Sequence, residues 1–414
     1  MNRIRLAGVT AALLTAGLAQ AQDVKLNVLI EAWYTQMLDN NLRLDSAAKP
    51  AGGAAYYDGL SAGRFSENTF AIKRTEIYLN GKVSETVAWN VMFDPNNSTS
   101  SVGNNVLSDA VITWTPIKGF SVRAGQFKMP TTWEGTIAGS RDLLFYDRNQ
   151  LNRVLGDTRD RGVNFIYSYG DPNGFQGKVN LAVSNGTTDD GSKGKNNDLN
   201  AQKDWTFRFE GGYATDHRFG AYYREGLTNQ KNSTMVAATI PATWTVGAPT
   251  AAQILDNKDK TTLAGAYYVY DTASWHADAE FATGLLGRRF PTLFTTATAP
   301  SRQHLDQKYQ GYAVSGGYKM GHHQFLARYD VMNYNSGDDW YTATNPYKTA
   351  TGDYSPKYTE TVLGYNYVFV PSKYTLGKLK VDYIIRSKNF LAPRAGQIGE
   401  QGGDSLITSL MIAF

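Results

Sequence analysis

Arg123, Arg141, Arg148, Arg153 and Arg159 fall in one stretch of the chain, interleaved with Asp142, Asp147, Asp157 and Asp160. A guanidinium keeps its charge at every accessible pH and presents five donors in a rigid fork. Fixed arginines along an aqueous path can therefore replace the hydration an anion loses there. The same groups beside aspartates can instead pair and pin a loop, and exposed pairs of that kind contribute little. The stretch thus offers two chemistries, an anion-selective constriction or a set of struts. Nothing comparable points to catalysis. Of the five histidines, His217, His322 and His323 sit at or beside short connections, His276 is near another, and only His304 lies in a long one. No serine or aspartate partner stands out to complete a nucleophile and base. His322 and His323 are adjacent, so on a strand they point to opposite faces rather than to one metal. The acids between Asp189 and Asp198 match no ordered calcium motif. With no cysteine there is no disulfide, thiol chemistry or Cys-x-x-Cys-His haem site, and no cofactor is expected.

The elements that must position these arginines read as strands. Before the stretch, Phe120, Val122 and Ala124 alternate with Ser121, Arg123 and Gly125; after it, Val163, Phe165, Tyr167 and Tyr169 alternate with Gly162, Asn164 and Ser168. Period two with one apolar face marks strands that meet two environments. The intervening residues are too many for a hairpin turn. They include Leu143, Leu144, Phe145, Leu151, Val154 and Leu155, so this connection has apolar groups to bury and is expected to fold into a pore.

The same alternation recurs along the chain and predicts sixteen strands, at 24–37, 68–83, 86–94, 107–115, 119–128, 161–169, 175–185, 204–214, 217–226, 260–270, 274–283, 307–319, 322–333, 357–370, 376–388 and 404–414. Short and long connections alternate throughout, beginning with a long one. That is the plan of an antiparallel transmembrane β-barrel with short periplasmic turns, long external loops and an even strand number. In β-barrel terms one face of each strand meets lipid and the other a wet lumen. Trp205, Phe207, Phe209 and Tyr213 alternate with Thr206, Arg208 and Glu210, and Leu379, Val381, Tyr383 and Ile385 alternate with Lys378, Lys380, Asp382 and Arg386. Trp89, Trp114, Tyr167, Tyr169, Trp205, Tyr213 and Trp275 near strand ends form candidate aromatic girdles.

By the same parity Lys25, Arg74, Arg123, Lys178, Arg208, Arg224, Arg328, Lys378, Lys380 and Arg386 face the lumen. So do Glu31, Glu76, Asp94, Asp109, Glu210, Asp278, Glu280, Asp330, Glu360 and Asp382. The signs nearly balance, so pairing across neighbouring strands competes with anion selection for each arginine. The formal net charge is +4, two units of it from Arg3 and Arg5, and no nucleic-acid partner is indicated.

The termini address the chain. Arg3 and Arg5 precede an apolar run from Leu6 to Leu18 and the small-residue site Ala19-Gln20-Ala21, a secretory signal peptide over 1–21 cleaved near Ala21. The mature chain, 22–414, then forms a single barrel domain in a bacterial outer membrane, in contact with its lipid and lipopolysaccharide. The last residues put Leu406, Thr408, Leu410 and Ile412 on one face and end on Phe414. They resemble the C-terminal signal read by the barrel assembly machinery, with Phe414, Ile412 and Leu410 as its residues.

The segment RAGQFKMP from Arg123 to Pro130, then Glu134, then Phe145 to Arg148, then Arg159, Asp160 and Gly162, resembles the phosphate-selective porin O and P family. Arg74 to Gly81 and Asn90 to Asp94 are similar to that family's early strands. Asp147 stands where the family usually has Glu. The resemblance implies a homotrimeric, water-filled porin with its third loop folded inward, passing small anionic solutes such as phosphate or polyphosphate. On this reading Arg123, Arg148 and Arg159 are the selectivity candidates, with Arg141 and Arg153 beside them in the constriction. A structural or adhesive barrel, or a sheath for a redox partner, is the alternative function; a barrel enzyme ranks below both.

Overall fold

The structure, a computed structural model, describes residues 24–38, 68–95, 106–136, 139–171, 173–186, 202–227, 260–286, 307–334, 336–337, 357–373, 375–387 and 404–414. The leader expected at 1–21, His304 and the Asp189–Asp198 acids lie outside them. Sixteen strands form a closed antiparallel barrel in which each strand pairs with its sequence neighbours and β1 (Lys25–Met37) pairs with β16 (Ser405–Ala413). The seam runs from Leu29 opposite Ala413 to Met37 opposite Ser405, and Phe414 and Val28 exchange backbone hydrogen bonds of 2.9 and 2.7 Å. Closure leaves no strand edge unpaired, as a hydrocarbon environment requires.

The intermediate strands are β2 (Asn68–Lys82), β3 (Val87–Phe93), β4 (Leu107–Ile117), β5 (Phe120–Lys128), β6 (Arg159–Gly170), β7 (Phe175–Ser184) and β8 (Asp204–Tyr213). They continue with β9 (His217–Leu227), β10 (Lys260–Asp271), β11 (Trp275–Leu286), β12 (Gln307–Met320), β13 (His323–Asn333), β14 (Lys357–Val368) and β15 (Gly377–Arg386). The pattern-based limits are close. The largest departure is β11, which runs on to Leu286; β4, β6, β14 and β15 differ by two residues at one end, β6 beginning at Arg159 rather than 161. Arg159 pairs with Lys128 across the strands, so it belongs to the wall and not to the loop.

Parity assigns the faces as expected from the sequence. Trp114, Tyr167, Trp205, Tyr213 and Trp275 are each at least half exposed on the outer face, while Trp89 is half-buried. On the inner face Arg208, Arg328, Lys378 and Lys380 are buried, because they are covered from inside the barrel. The short turn after β4 relies on Gly119, whose φ of +86° favours a residue without Cβ.

One irregularity positions charge. The register of β1 against β2 steps from Glu31–Arg74 to Ala32–Ile72, leaving Lys73 as the extra residue of a bulge. Consecutive residues then project to the same side, and Lys73 and Arg74 both reach Asp147, at 3.0 and 2.6 Å.

Candidate functional site: the segment crossing the barrel

Residues 129–158 leave β5 and return to β6 by way of two short helices, α1 (Trp133–Thr136) and α2 (Gln150–Leu155). Local chemistry shapes α2: Asn149 is its N-cap, its side chain accepting from the Asn152 backbone N–H at 2.9 Å. Gly156 ends the helix against Thr132, so closely that a Cβ there would lie 1.9 Å from the Thr132 hydroxyl.

The segment is held at several places on the inner wall. Glu280 of β11 accepts from the Trp133 backbone N–H (2.8 Å), the Asn152 amide (2.7 Å) and the Tyr222 hydroxyl (3.0 Å). Glu360 of β14 accepts from Tyr146 (3.0 Å), Tyr358 (2.8 Å), Arg153 (3.0 Å), Arg328 (3.0 Å) and Arg386 (3.3 Å). Asp147 meets Lys73 and Arg74 from β2. Finally, Lys378 donates to the Leu143 carbonyl at 2.7 Å and Lys380 to the Phe145 carbonyl at 3.1 Å. Lys380 also pairs with Glu31 at 2.6 Å.

Between these polar anchors lie apolar contacts. Phe145 and Tyr146 pack with Trp33, Leu326, Val362, Ile384 and Ile407; Trp33 meets Tyr146 edge to face at 5.6 Å. Leu151 packs with Trp133, Tyr222, Leu263, Tyr267 and Ala282, and Val154 and Leu155 reach Tyr309 and Tyr358. Strands on several sides of the barrel thus grip one segment. A cavity of about 240 Å³ lies against it, lined by Trp133, Leu143, Arg218, His276, Asp278 and Lys319 among others.

The carboxyls of the segment respond to this crowding. Burial alone would raise Asp147, but Lys73, Arg74, Arg153 and Arg148 hold it well below the ordinary carboxylate range. Asp157 behaves alike: burial opposes, and Arg148, Lys128 and Arg159 prevail and lower it.

The five candidate arginines divide. Arg148 pairs with Asp157 at 3.0 Å and donates through Nε to the Glu134 carbonyl at 3.0 Å. Arg153 pairs with Glu360 and lies over the Tyr146 ring at 5.6 Å. Arg159 pairs with Asp109 at 2.6 Å and lies 3.8 Å from Asp157. Arg123 is half-buried on β5 with its guanidinium over the Phe127 ring at 5.4 Å, and Arg141 is exposed in the turn Ser140–Asp142. Neither makes an ion pair among the described residues. The acids Glu280 and Glu360 and the lysines Lys378 and Lys380 were legible as inner-face residues; their role in gripping the segment was not, since parity gives a face and not a partner.

Comparison with known proteins agrees with this architecture. The DcaP outer membrane channel of Acinetobacter baumannii superposes with a TM-score of 0.54 at 12% identity, covering 95% of this chain and 97% of that one. OmpT of Vibrio cholerae, in its trimer form, gives 0.52 at 13% identity over 95% and 99% of the two chains. An anion-selective porin from Comamonas acidovorans gives 0.50 at 10% identity over 95% and 99%. No curated protein matches the chain by sequence. The profile of the phosphate-selective porin O and P family matches residues 51–368, most of the barrel, and the chain belongs to that family.

Proposed function

We propose that the chain is a porin of the bacterial outer membrane that passes small hydrophilic solutes by diffusion, favours anions, and is narrowed by residues 129–158. The observation that carries the anion preference is the division among the arginines. Arg148, Arg153 and Arg159 are matched by Asp157, Glu360 and Asp109, whereas Arg123 and Arg141 make no direct ion pair among the described residues, Asp109 attracting Arg123 only from beyond contact distance. Cations without a contacting carboxylate beside a constriction in a low-dielectric wall attract anions where salt screens least. The three paired arginines act as struts in this reading. Phosphate or polyphosphate as the solute follows from the family alone, and assembly as a homotrimer is supported by the trimer form of the Vibrio cholerae relative in fold. Export through a signal peptide ending near Ala21, insertion by the barrel assembly machinery and contact with lipopolysaccharide belong to the same proposal.

Reversal potentials in a salt gradient test it. Wild-type channels should show an anion-to-cation permeability ratio above one. Arg123→Gln and Arg141→Gln should lower it, while Arg148→Gln should leave it near the wild-type value and disturb the loop. A cation-selective wild type, or equal loss in all three variants, would refute the assignment.

A further inference from the structure

Arg218, the second residue of β9, shares the inner face with Tyr222 and lines the cavity of about 240 Å³ that lies against the crossing segment. The residue is exposed, and its guanidinium lies over the Trp133 ring at 5.7 Å. It makes no hydrogen bond or ion pair among the described residues. The other charges of the same wall are matched to one another. His276 stands between Asp271 at 2.9 Å and Asp278 at 2.7 Å, so both ring nitrogens must donate, which only the imidazolium does. Lys319 pairs with Asp271, and Ser315 donates to Asp278. Two cations and two anions cancel there, and the charge of Arg218 is left over. On the segment's side, Glu134 lies in the field of Arg328 and Arg148, and Asp142 in that of Lys378. Leu143, Leu144, Phe145 and Val269 supply the apolar lining.

We propose that this cavity binds a small organic monocarboxylate, its carboxylate on Arg218 and its hydrocarbon body against Leu144 and the apolar residues beside it. Three observations select that class. A guanidinium presents a planar fork of donors that matches a carboxylate, and the fork of Arg218 is unused. Glu134 and Asp142 repel a second negative charge, which disfavours phosphate and dicarboxylates where a single cation is on offer. The volume falls below the roughly 300 Å³ at which pockets for drug-sized ligands begin, so the hydrocarbon body is compact. The site lies toward the short turns, since Arg218, Asp271, His276 and Lys319 are each first or second from a strand end there.

The proposal rests on the porin reading for the route by which the ligand arrives, and the test keeps the two apart. Folded barrel in a neutral detergent is titrated calorimetrically at mildly alkaline pH with benzoate, benzylamine, succinate or inorganic phosphate. The same preparation is inserted into planar bilayers. Benzoate should bind one to one and at least about tenfold more tightly than phosphate, which has no hydrocarbon to bury. Arg218→Gln should weaken benzoate at least about tenfold, the loss expected for a charged hydrogen-bonded contact. Arg218→Lys, which keeps the charge and loses the fork, should fall between. In bilayers benzoate should interrupt the wild-type current and leave that of Arg218→Gln uninterrupted. Benzoate binding that does not saturate, equal affinity for phosphate or succinate, tighter binding of benzylamine, or wild-type affinity in Arg218→Gln would overturn the inference. A barrel that binds benzoate through Arg218 and forms no channels would count against the porin reading and uphold the site. If Arg218→Gln fails to assemble, Arg218→Lys and the wild-type ligand series decide the matter.

Discussion

At Glu360, three guanidiniums and two phenols converge on one fully buried carboxylate. Removing one partner of such a buried cluster leaves charges without compensation, at a cost of about 3–5 kcal/mol. Glu360→Gln should therefore lower the temperature at which the barrel loses its folded gel mobility and raise open-channel noise. Unchanged stability and quiet channels would mean that the cluster does not pin the segment. The depressed carboxyls Asp147 and Asp157 set the acid limit. A carboxyl lowered on folding stabilises the fold fully above its unfolded value, about 3.9, and loses that contribution as pH falls toward the lowered one. The ion pairs of these two carboxyls should accordingly hold from neutral pH down to about 4 and weaken only below it, read as the pH at which conductance noise in the wild type begins to approach that of Asp157→Asn. A transition centred near pH 6 would point to a group other than these two.

At the scale of elements, the strands were legible and the crossing segment was legible only in outline. Alternation located β5 and β6 because each strand faces lipid on one side and a wet interior on the other, a contrast written in every second residue. Leu144, Phe145 and Leu151 announced that the connection buries apolar surface, yet their partners Ile384, Leu326 and Tyr222 come from distant strands and leave no local signature. The start of β6 was placed late because Arg159 and Asp160 read as loop charges; pairing of Arg159 with Lys128 and of Asp160 with Phe127 extends the ladder through them. The bulge at Lys73 was equally silent, since one extra residue in a strand changes no composition. Phe145 is the sharpest test of this element. It packs among Leu326, Val362, Ile384 and Ile407 and under the Arg328 guanidinium at 4.8 Å, and Phe145→Ala should cost about 3–5 kcal/mol. The barrel should still assemble, with a larger and less steady unit conductance; a variant with wild-type current traces would show that this contact does not hold the segment.

For the whole molecule, closure and narrowing are separable. Phe414 is 67% exposed beside the seam, with Leu410 and Ile412 at 45% and 48% on the same outer face. Little packing is lost inside the barrel without it, so deleting Phe414 should cut the amount inserted in membranes far more than it alters the conductance of what inserts. Equal insertion would reduce the residue to a contact with lipid. The account's central claim is that residues 129–158 set the narrowest part of the channel. Single-channel conductance in planar bilayers tests it most directly, comparing the wild type with a variant in which 131–157 are replaced by a short Gly-Ser linker. The expected result is a larger unit conductance with a weaker anion preference; an assembled barrel with unchanged conductance would place the constriction elsewhere and contradict the account.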